Sequence, residues 1–274
     1  MVLVPLLGFA FHTHGQGDLL ITPTRVVFDG NKQKEELNLV NIGKDTAIYT
    51  ISFIQYDMKE DGSFIPVEKT DSGKMFADPY LRIFPRKVTL APREPQVISL
   101  QCRRRPEMAP GEYRSHLYFR SEKNVSQLGL DSPKTDSSQL KVQLIPIYGI
   151  SIPIIIRAGT VQVNATLSDL KLELRQDSVQ NLKLTINRTG NISVYGDFSI
   201  EYIPVTGKSF EVGSVKGVGV YTNINKRTIY IKLAKKTDAM LTSGKLRVKY
   251  FSNEPNKAPF TFAEAELELQ QQIR

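Results

Sequence analysis

A hydrophobic pattern of period two runs along almost the whole chain and constrains the fold more than any other feature. Side chains of a β-strand point alternately to opposite faces, so this pattern predicts strands, whereas a helix needs a period of 3.6. Turn signals such as Asp29-Gly30, Asp61-Gly62 and Pro110-Gly111 separate the alternating runs. The runs of the first half are 19–28, 37–41, 47–56, 80–84, 96–102, 112–120 and 140–156. We predict an immunoglobulin-type Greek-key sandwich for this half.

The second half repeats the architecture without repeating the sequence. Its alternating runs are 161–174, 181–187, 194–203, 210–221, 228–233, 245–251 and 260–269. Arg157-Ala158-Gly159 ends a long aliphatic run and is typical of a hinge. The chain is therefore predicted to be all-β, with two immunoglobulin-like sandwich domains in tandem at residues 18–157 and 158–274.

The N-terminal segment has a different composition from the rest of the chain. Residues 2–11 form an apolar run that is too short for a membrane-spanning helix, which needs about 20 residues. Small residues, Gly15 and Gly17, stand before Asp18 where a signal peptidase would cut. We predict a secretory signal at residues 1–17, although no Lys or Arg precedes the apolar run. The alternative is a hydrophobic first strand.

Cysteine and histidine counts argue against most enzyme classes. The chain has one cysteine, Cys102, and three histidines, of which only His116 lies outside the predicted signal. Disulfide frameworks, cysteine zinc sites and histidine-based triads are therefore disfavoured. No pair of carboxylates stands out for acid–base catalysis, so we predict no catalytic residue, no metal, no cofactor and no small-molecule substrate.

The net charge of +8 is spread along the chain and does not indicate a nucleic-acid partner. The densest basic cluster is Arg103-Arg104-Arg105, directly before Pro106, which is typical of an exposed loop. Basic helices and interleaved aromatic and basic residues, the marks of nucleic-acid modules, are missing from the sequence. The chain also has no tryptophan for stacking on sugars.

The segment 140–157 (LKVQLIPIYGISIPIIIR) places an apolar residue at every even position from 140 to 156. As a strand it would present one continuous apolar ridge and extend about 56 Å at about 3.3 Å per residue, longer than ordinary sandwich strands. The strand either bends within its own core or projects beyond it. A projecting edge could add as a strand to another protein, with backbone hydrogen bonds for affinity and alternate side chains for specificity.

Several segments together resemble the PapD-like periplasmic chaperones of pilus assembly. The resemblance rests on the opening residues 24–30, the strand that ends at Asn41, residues 82–92, Gly111-Glu112-Tyr113-Arg114 and the closing run 150–157. It covers about residues 19–159, and the rest of the chain agrees only in size and strand count. The resemblance implies two immunoglobulin-like domains set at an angle, with a cleft between them.

The resemblance also implies a function. Such chaperones bind a secreted pilus or fimbrial subunit in the periplasm, lend it a β-strand and pass it to an outer-membrane usher, without a cofactor. It further implies roles for single residues: Arg25 would anchor the subunit's terminal carboxylate in the cleft, and Arg157 would lie at the interdomain hinge. The side chains inserted into the subunit would be Leu140, Val142 and Leu144.

One position departs from the family pattern. Where the family usually has a lysine as the second carboxylate anchor, alignment on Arg157 places Pro153, which has no charge and no N–H. A gap could instead bring Lys141 or another base nearby. Two other readings remain open: a structural or adhesive surface protein of two immunoglobulin-like modules, and a carbohydrate-binding or enzymatic sandwich.

Overall fold

The computed structural model describes residues 18–68, 73–122, 148–174, 180–234, 241, 243–254 and 258–269. The predicted signal, residues 1–17, lies outside the described residues. So do residues 123–147, which include the predicted subunit-binding residues Leu140, Val142 and Leu144. In the described part of the chain no helix is long and apolar enough to cross a membrane.

The first sandwich packs two sheets over one apolar core. Its strands are β1 (Leu19–Thr22), β2 (Val26–Phe28), β3 (Lys34–Asn41), β4 (Ala47–Ile54), β5 (Tyr56–Met58), β6 (Phe64–Pro66), β7 (Leu81–Phe84), β8 (Lys87–Leu90), β9 (Pro95–Cys102), β10 (Gly111–Glu122) and β11 (Gly149–Ala158). One sheet has the order β1-β3-β9-β7 and the other β2-β11-β10-β4-β8. The inward-facing apolar side chains of both sheets fill the space between them. Among the fully buried ones are Phe28, Leu37, Leu100, Phe119 and Ile154.

The second sandwich has the same two-layer construction and a core of its own. Its strands are β12 (Val163–Leu174), β13 (Gln180–Gly190), β14 (Val194–Ile203), β15 (Phe210–Val220), β16 (Lys226–Lys232), β17 (Gly244–Ser252) and β18 (Phe260–Leu269). The sheets have the orders β12-β13-β16 and β15-β14-β17-β18. At the centre of the core, the rings of Phe198 and Tyr250 stack with their centroids 4.4 Å apart. The predicted all-β class with two sandwiches is confirmed, and the exact residue limits of the domains stay predictions.

The first predicted strand, 19–28, is wrong as a single element. β1 pairs antiparallel with β3, whereas β2 crosses to the other sheet and pairs in parallel with β11. The ladder stops between them at Pro23, which has no N–H to donate. This crossover places Arg25 directly before β2, at the side of the first sandwich that faces the second.

The hairpin of β5 and β6 was not predicted as a separate element. Residues 47–56 read as one run, but β4 ends at Ile54 and β5 pairs with β6 instead, around the Asp61-Gly62 turn. The hairpin reaches across to the second sandwich.

Candidate binding cleft between the two sandwiches

A buried ion pair on β10 of the first sandwich forms hydrogen bonds to the second sandwich. Glu112 on β10 is 2% exposed, and its carboxylate accepts hydrogen bonds from the Ser193 amide at 3.0 Å and from the Ser193 hydroxyl at 2.7 Å. Its other oxygen pairs with the Arg114 guanidinium, whose carbon lies 3.5 Å from the ring centre of Tyr221. The backbone N–H of Glu112 also donates to the carbonyl of Asn191 at 3.1 Å.

The environment keeps Glu112 ionised. Burial opposes its charge, but the positive charge of Arg114 and the hydrogen bonds from Ser193 outweigh burial and lower the pKa of Glu112. A carboxylate that is buried and fully hydrogen-bonded tolerates little displacement, because losing a partner would leave an unpaired buried charge. The network therefore favours one fixed position of Ser193 relative to β10.

The β5–β6 hairpin forms a second contact between the sandwiches. The side-chain amide of Asn223 donates to the Met58 carbonyl at 2.9 Å, and its oxygen accepts from the Met58 N–H at 3.3 Å. The Thr228 N–H, at the start of β16, donates to the Glu60 carbonyl at 2.8 Å. These bonds satisfy backbone groups that an unpaired strand would leave open.

His116 lies at the centre of this contact. Its ring is surrounded by the aromatic rings of Tyr56, Phe64 and Tyr221, and its Nε2 lies 3.2 Å from the Tyr221 hydroxyl. Burial, and then the charge of Arg114, lower the pKa of His116 to about 3. The imidazole is therefore neutral near pH 7.

A cleft of about 690 Å³ lies between the β1–β2 crossover and one face of the second sandwich. It is lined by residues 23–27, 29, 32, 35, 195–197, 216–217 and 253–254. The predicted carboxylate anchor, Arg25, is among them. The cleft is thus a concave surface to which both sandwiches contribute charged groups.

Arg25 is held mainly by residues of the second sandwich. Only 12% of its side chain is exposed, its guanidinium carbon lies 4.6 Å from the ring centre of Tyr195, and its Nη1 lies 4.0 Å from a Glu254 carboxylate oxygen. Its Nη2 is buried and has no hydrogen-bond partner among the described residues. Burial, followed by the charge of Arg114, lowers the pKa of Arg25, although a guanidinium remains charged at neutral pH.

The geometry gives this site a definite chemical preference. A planar guanidinium with one unsatisfied nitrogen can donate two charge-assisted hydrogen bonds to the two oxygens of a carboxylate. The enclosing walls lower the local dielectric and strengthen such a contact. Arg25 is therefore suited to bind an anion that enters the cleft.

The structure places Arg157 in the first sandwich, beside the cleft. Its Nη1 lies 3.4 Å from a carboxylate oxygen of Asp29, and 14% of its side chain is exposed. This ion pair lies within the first sandwich, and the hinge role of Arg157 stays a prediction. Pro153 pairs in register with His116 on β10, so the strand carries no cation at that position.

The sequence reasoning missed the residues that surround Arg25. Tyr195 lies on β14 and Glu254 follows β17, and neither carries a local signal that links it to residue 25. The sequence singles out Glu112 and Arg114 only as part of a segment that resembles the family. Among the described residues, no group of three or more His, Cys, Asp or Glu side chains could hold a metal ion.

Comparison with known proteins gives structural likenesses only. No family model matches the chain, and no curated protein matches it in sequence. Among solved structures, the YadV chaperone is 12% identical with a TM-score of 0.45, and covers 92% of this chain and 100% of its own.

Two further solved structures give the same picture. The Pseudomonas aeruginosa CupB2 chaperone is 12% identical with a TM-score of 0.42 and covers 91% of this chain and 99% of its own. The CsuC–CsuE complex of a chaperone and a tip adhesion subunit, from Acinetobacter baumannii, is 12% identical with a TM-score of 0.44 and covers 93% and 99%. Likenesses at these identities and TM-scores carry no inference about the partner or activity of this chain.

Proposed function

We propose that the protein is a periplasmic chaperone that binds a secreted pilus or fimbrial subunit, lends it a β-strand and passes it to an outer-membrane usher. The observation that carries this proposal is Arg25, a buried guanidinium between two sandwiches with one nitrogen unsatisfied. A buried cation of this kind is costly unless an anion completes its surroundings. The anion we propose is the terminal carboxylate of the subunit.

The clamp would fix the register of the bound subunit. A carboxylate held at two points by Arg25 sets where the subunit's last strand begins, and a one-residue slip would turn every side chain to the opposite face. From there the subunit would run beside the segment 140–144. Leu140, Val142 and Leu144 alternate with polar residues, as a strand that inserts side chains into an apolar groove requires.

Strand donation needs neither a cofactor nor catalysis. The subunit exchanges one set of backbone hydrogen bonds and apolar contacts for another, so the free energy comes from the difference between two bound states. The fixed contacts at Glu112 and at the β5–β6 hairpin support this role, because a preorganised cleft loses less entropy when it binds. Residues 1–17 would direct the chain to the periplasm.

The test is co-expression of the chain with candidate secreted subunits, followed by purification and mass spectrometry. We expect a one-to-one complex with the wild-type chaperone. Arg25→Ala should keep its thermal unfolding transition and lose about 2–5 kcal/mol of subunit binding, the typical loss when one partner of a buried charge pair is truncated. Arg82→Ala is a matched control, because Arg82 is exposed on β7 outside the cleft.

Wild-type affinity in Arg25→Ala would contradict the clamp. A monomer that captures no subunit and resides at the cell surface would contradict the chaperone function as a whole. That result would instead favour the structural or adhesive protein.

A further inference from the structure

The carboxylate nearest to the cleft arginine belongs to the chain itself. Glu254 lies between β17 and β18 of the second sandwich, and its carboxylate oxygen is 4.0 Å from Nη1 of Arg25. Of the other acidic side chains that line the cleft, Asp29 pairs with Arg157 and Glu35 pairs with Lys32. Asp197 accepts hydrogen bonds from the Gly217 N–H at 2.9 Å and from the Asn253 side-chain amide at 3.1 Å. Glu254 is thus placed where an incoming carboxylate would have to bind.

The contact of Glu254 with Arg25 is looser than a carboxylate clamp allows. A two-point guanidinium–carboxylate pair has N···O distances of about 2.7–2.9 Å, well below the 4.0 Å observed here. The Nη2 of Arg25 is left without a partner among the described residues. An external carboxylate that reached both Nη atoms would therefore satisfy Arg25 better than Glu254 does.

Glu254 lies outside the apolar cores of both sandwiches. Its side chain is 27% exposed at the rim of the cleft, and it precedes β18 rather than lying within a ladder. Arg25, in contrast, is enclosed by the ring of Tyr195 and faces the like charges of Arg114 and Arg157. The negative charges of Glu112 and Glu254 oppose this repulsion, and of the two only Glu254 is partly exposed in the cleft.

We infer that Glu254 is an internal occupant of the carboxylate site, which neutralises Arg25 in the free chaperone and is displaced by the terminal carboxylate of a bound subunit. This inference rests on the proposed function, since it names what competes at the same site. Glu254 would then determine both the affinity and the selectivity of the site. A weakly bound anion would not displace Glu254, whereas the terminal carboxylate of a strand that also pairs through its backbone would displace it. The cost of displacement reduces the apparent affinity by the fraction of molecules in which Arg25 is already occupied.

The test uses two synthetic peptides of ten alternating apolar and polar residues, one with a free C-terminal carboxylate and one with a C-terminal amide. Binding to the whole chain is followed by calorimetry and by the NMR signal of the Arg25 Nε–H group. Glu254→Gln should bind the carboxylate peptide about fivefold more tightly than wild type, the size expected for losing one partly exposed ion pair. Glu35→Gln is the matched control, because it removes the same charge from the same cleft but not from Arg25.

The possible outcomes separate this inference from the proposed function. Thermal unfolding first checks that Arg25→Ala and Arg25→Gln are folded. If both variants then bind the carboxylate peptide as tightly as wild type does, the carboxylate clamp itself is wrong. If both lose binding while Glu254→Gln binds no tighter than Glu35→Gln, only the inference about Glu254 is overturned. A gain that is equally large for the amide peptide would also overturn it, because Glu254 would then not be competing with a carboxylate.

Discussion

Acidification should weaken the contact between the sandwiches through a single side chain, His116. Its imidazole is 4% exposed, and its Nδ1 has no hydrogen-bond partner among the described residues. The rings of Tyr56, Phe64 and Tyr221 surround it. Burial, and then the positive charge of Arg114, oppose protonation and lower the pKa of His116. Protonation would bury a second positive charge beside the first.

The size of the effect follows from the shift in pKa. The folded protein lowers the pKa of His116 to about 3, while an unfolded histidine titrates near about 6.5. Because the folded value lies below the unfolded one, the contribution to stability is present above pH ~6.5 and is lost as the pH falls towards the folded pKa. At pH ~4.5 the histidine of the unfolded state is almost fully protonated, whereas that of the folded state is almost fully neutral. Going from pH ~7 to pH ~4.5 therefore lowers the free energy of unfolding by about 2.5 kcal/mol.

The assay compares wild type with His116→Gln, which keeps a polar side chain near Tyr221 but does not titrate. Urea unfolding of both proteins at the two pH values gives two pH effects, and titrations shared by both proteins cancel in their difference. Wild type should lose about 2.5 kcal/mol more than the variant. In a chain that starts at residue 18, His116 is also the only histidine, so its NMR titration can be followed without overlap.

Equal pH effects in the two proteins would refute this reasoning. So would an NMR titration of His116 in the folded protein near its ordinary value, because the ring would then be open to solvent. Either result would mean that the β5–β6 hairpin does not enclose the imidazole in solution.

Two further predictions concern the lent strand and the buried ion pair. Val142→Asp should stop subunit capture and leave the unfolding of the free chaperone unchanged. The control is Val97→Asp, on an exposed face of β9, which should change neither capture nor unfolding. If Val142→Asp prevents folding, the segment belongs to the core, which would count against strand donation. Glu112→Ala should cost about 3–5 kcal/mol in urea unfolding, because it leaves Arg114 buried without its carboxylate. Ser193→Ala should cost less, about 1–3 kcal/mol, because it removes an uncharged hydroxyl that donates to the Glu112 carboxylate and accepts from Arg114. A Glu112→Ala cost below that of Ser193→Ala would contradict the buried ion pair.

The strands could be predicted from the sequence because their signal is local. Predicted residues 194–203 and 260–269 coincide with β14 and β18, where apolar and polar residues alternate along most of each strand. The prediction of residues 19–28 as one strand is wrong because alternation does not show which sheet a strand joins. Pro23 ends one ladder, and the choice of a new sheet for β2 depends on pairing with β11, more than a hundred residues away.

The cleft could be predicted only in part. Arg25 was found through its place in a family-like opening motif, whereas nothing near residues 195 or 254 indicates that they meet it. Such contacts depend on how two separately folded sandwiches sit against each other. Periodicity describes one strand at a time and carries no information about that arrangement.

The central claim, strand donation, is tested most directly by amide hydrogen exchange of residues 140–144, measured in the free chaperone and in its purified complex with a subunit. Strand donation predicts that these amides exchange slowly in the complex and much faster in the free protein, because the subunit supplies their hydrogen-bond partners only when it is bound. The strands of both cores, such as β10 and β17, should show the same protection in both states. Equal exchange of residues 140–144 with and without the subunit would contradict the account, since the segment would then not pair with its client.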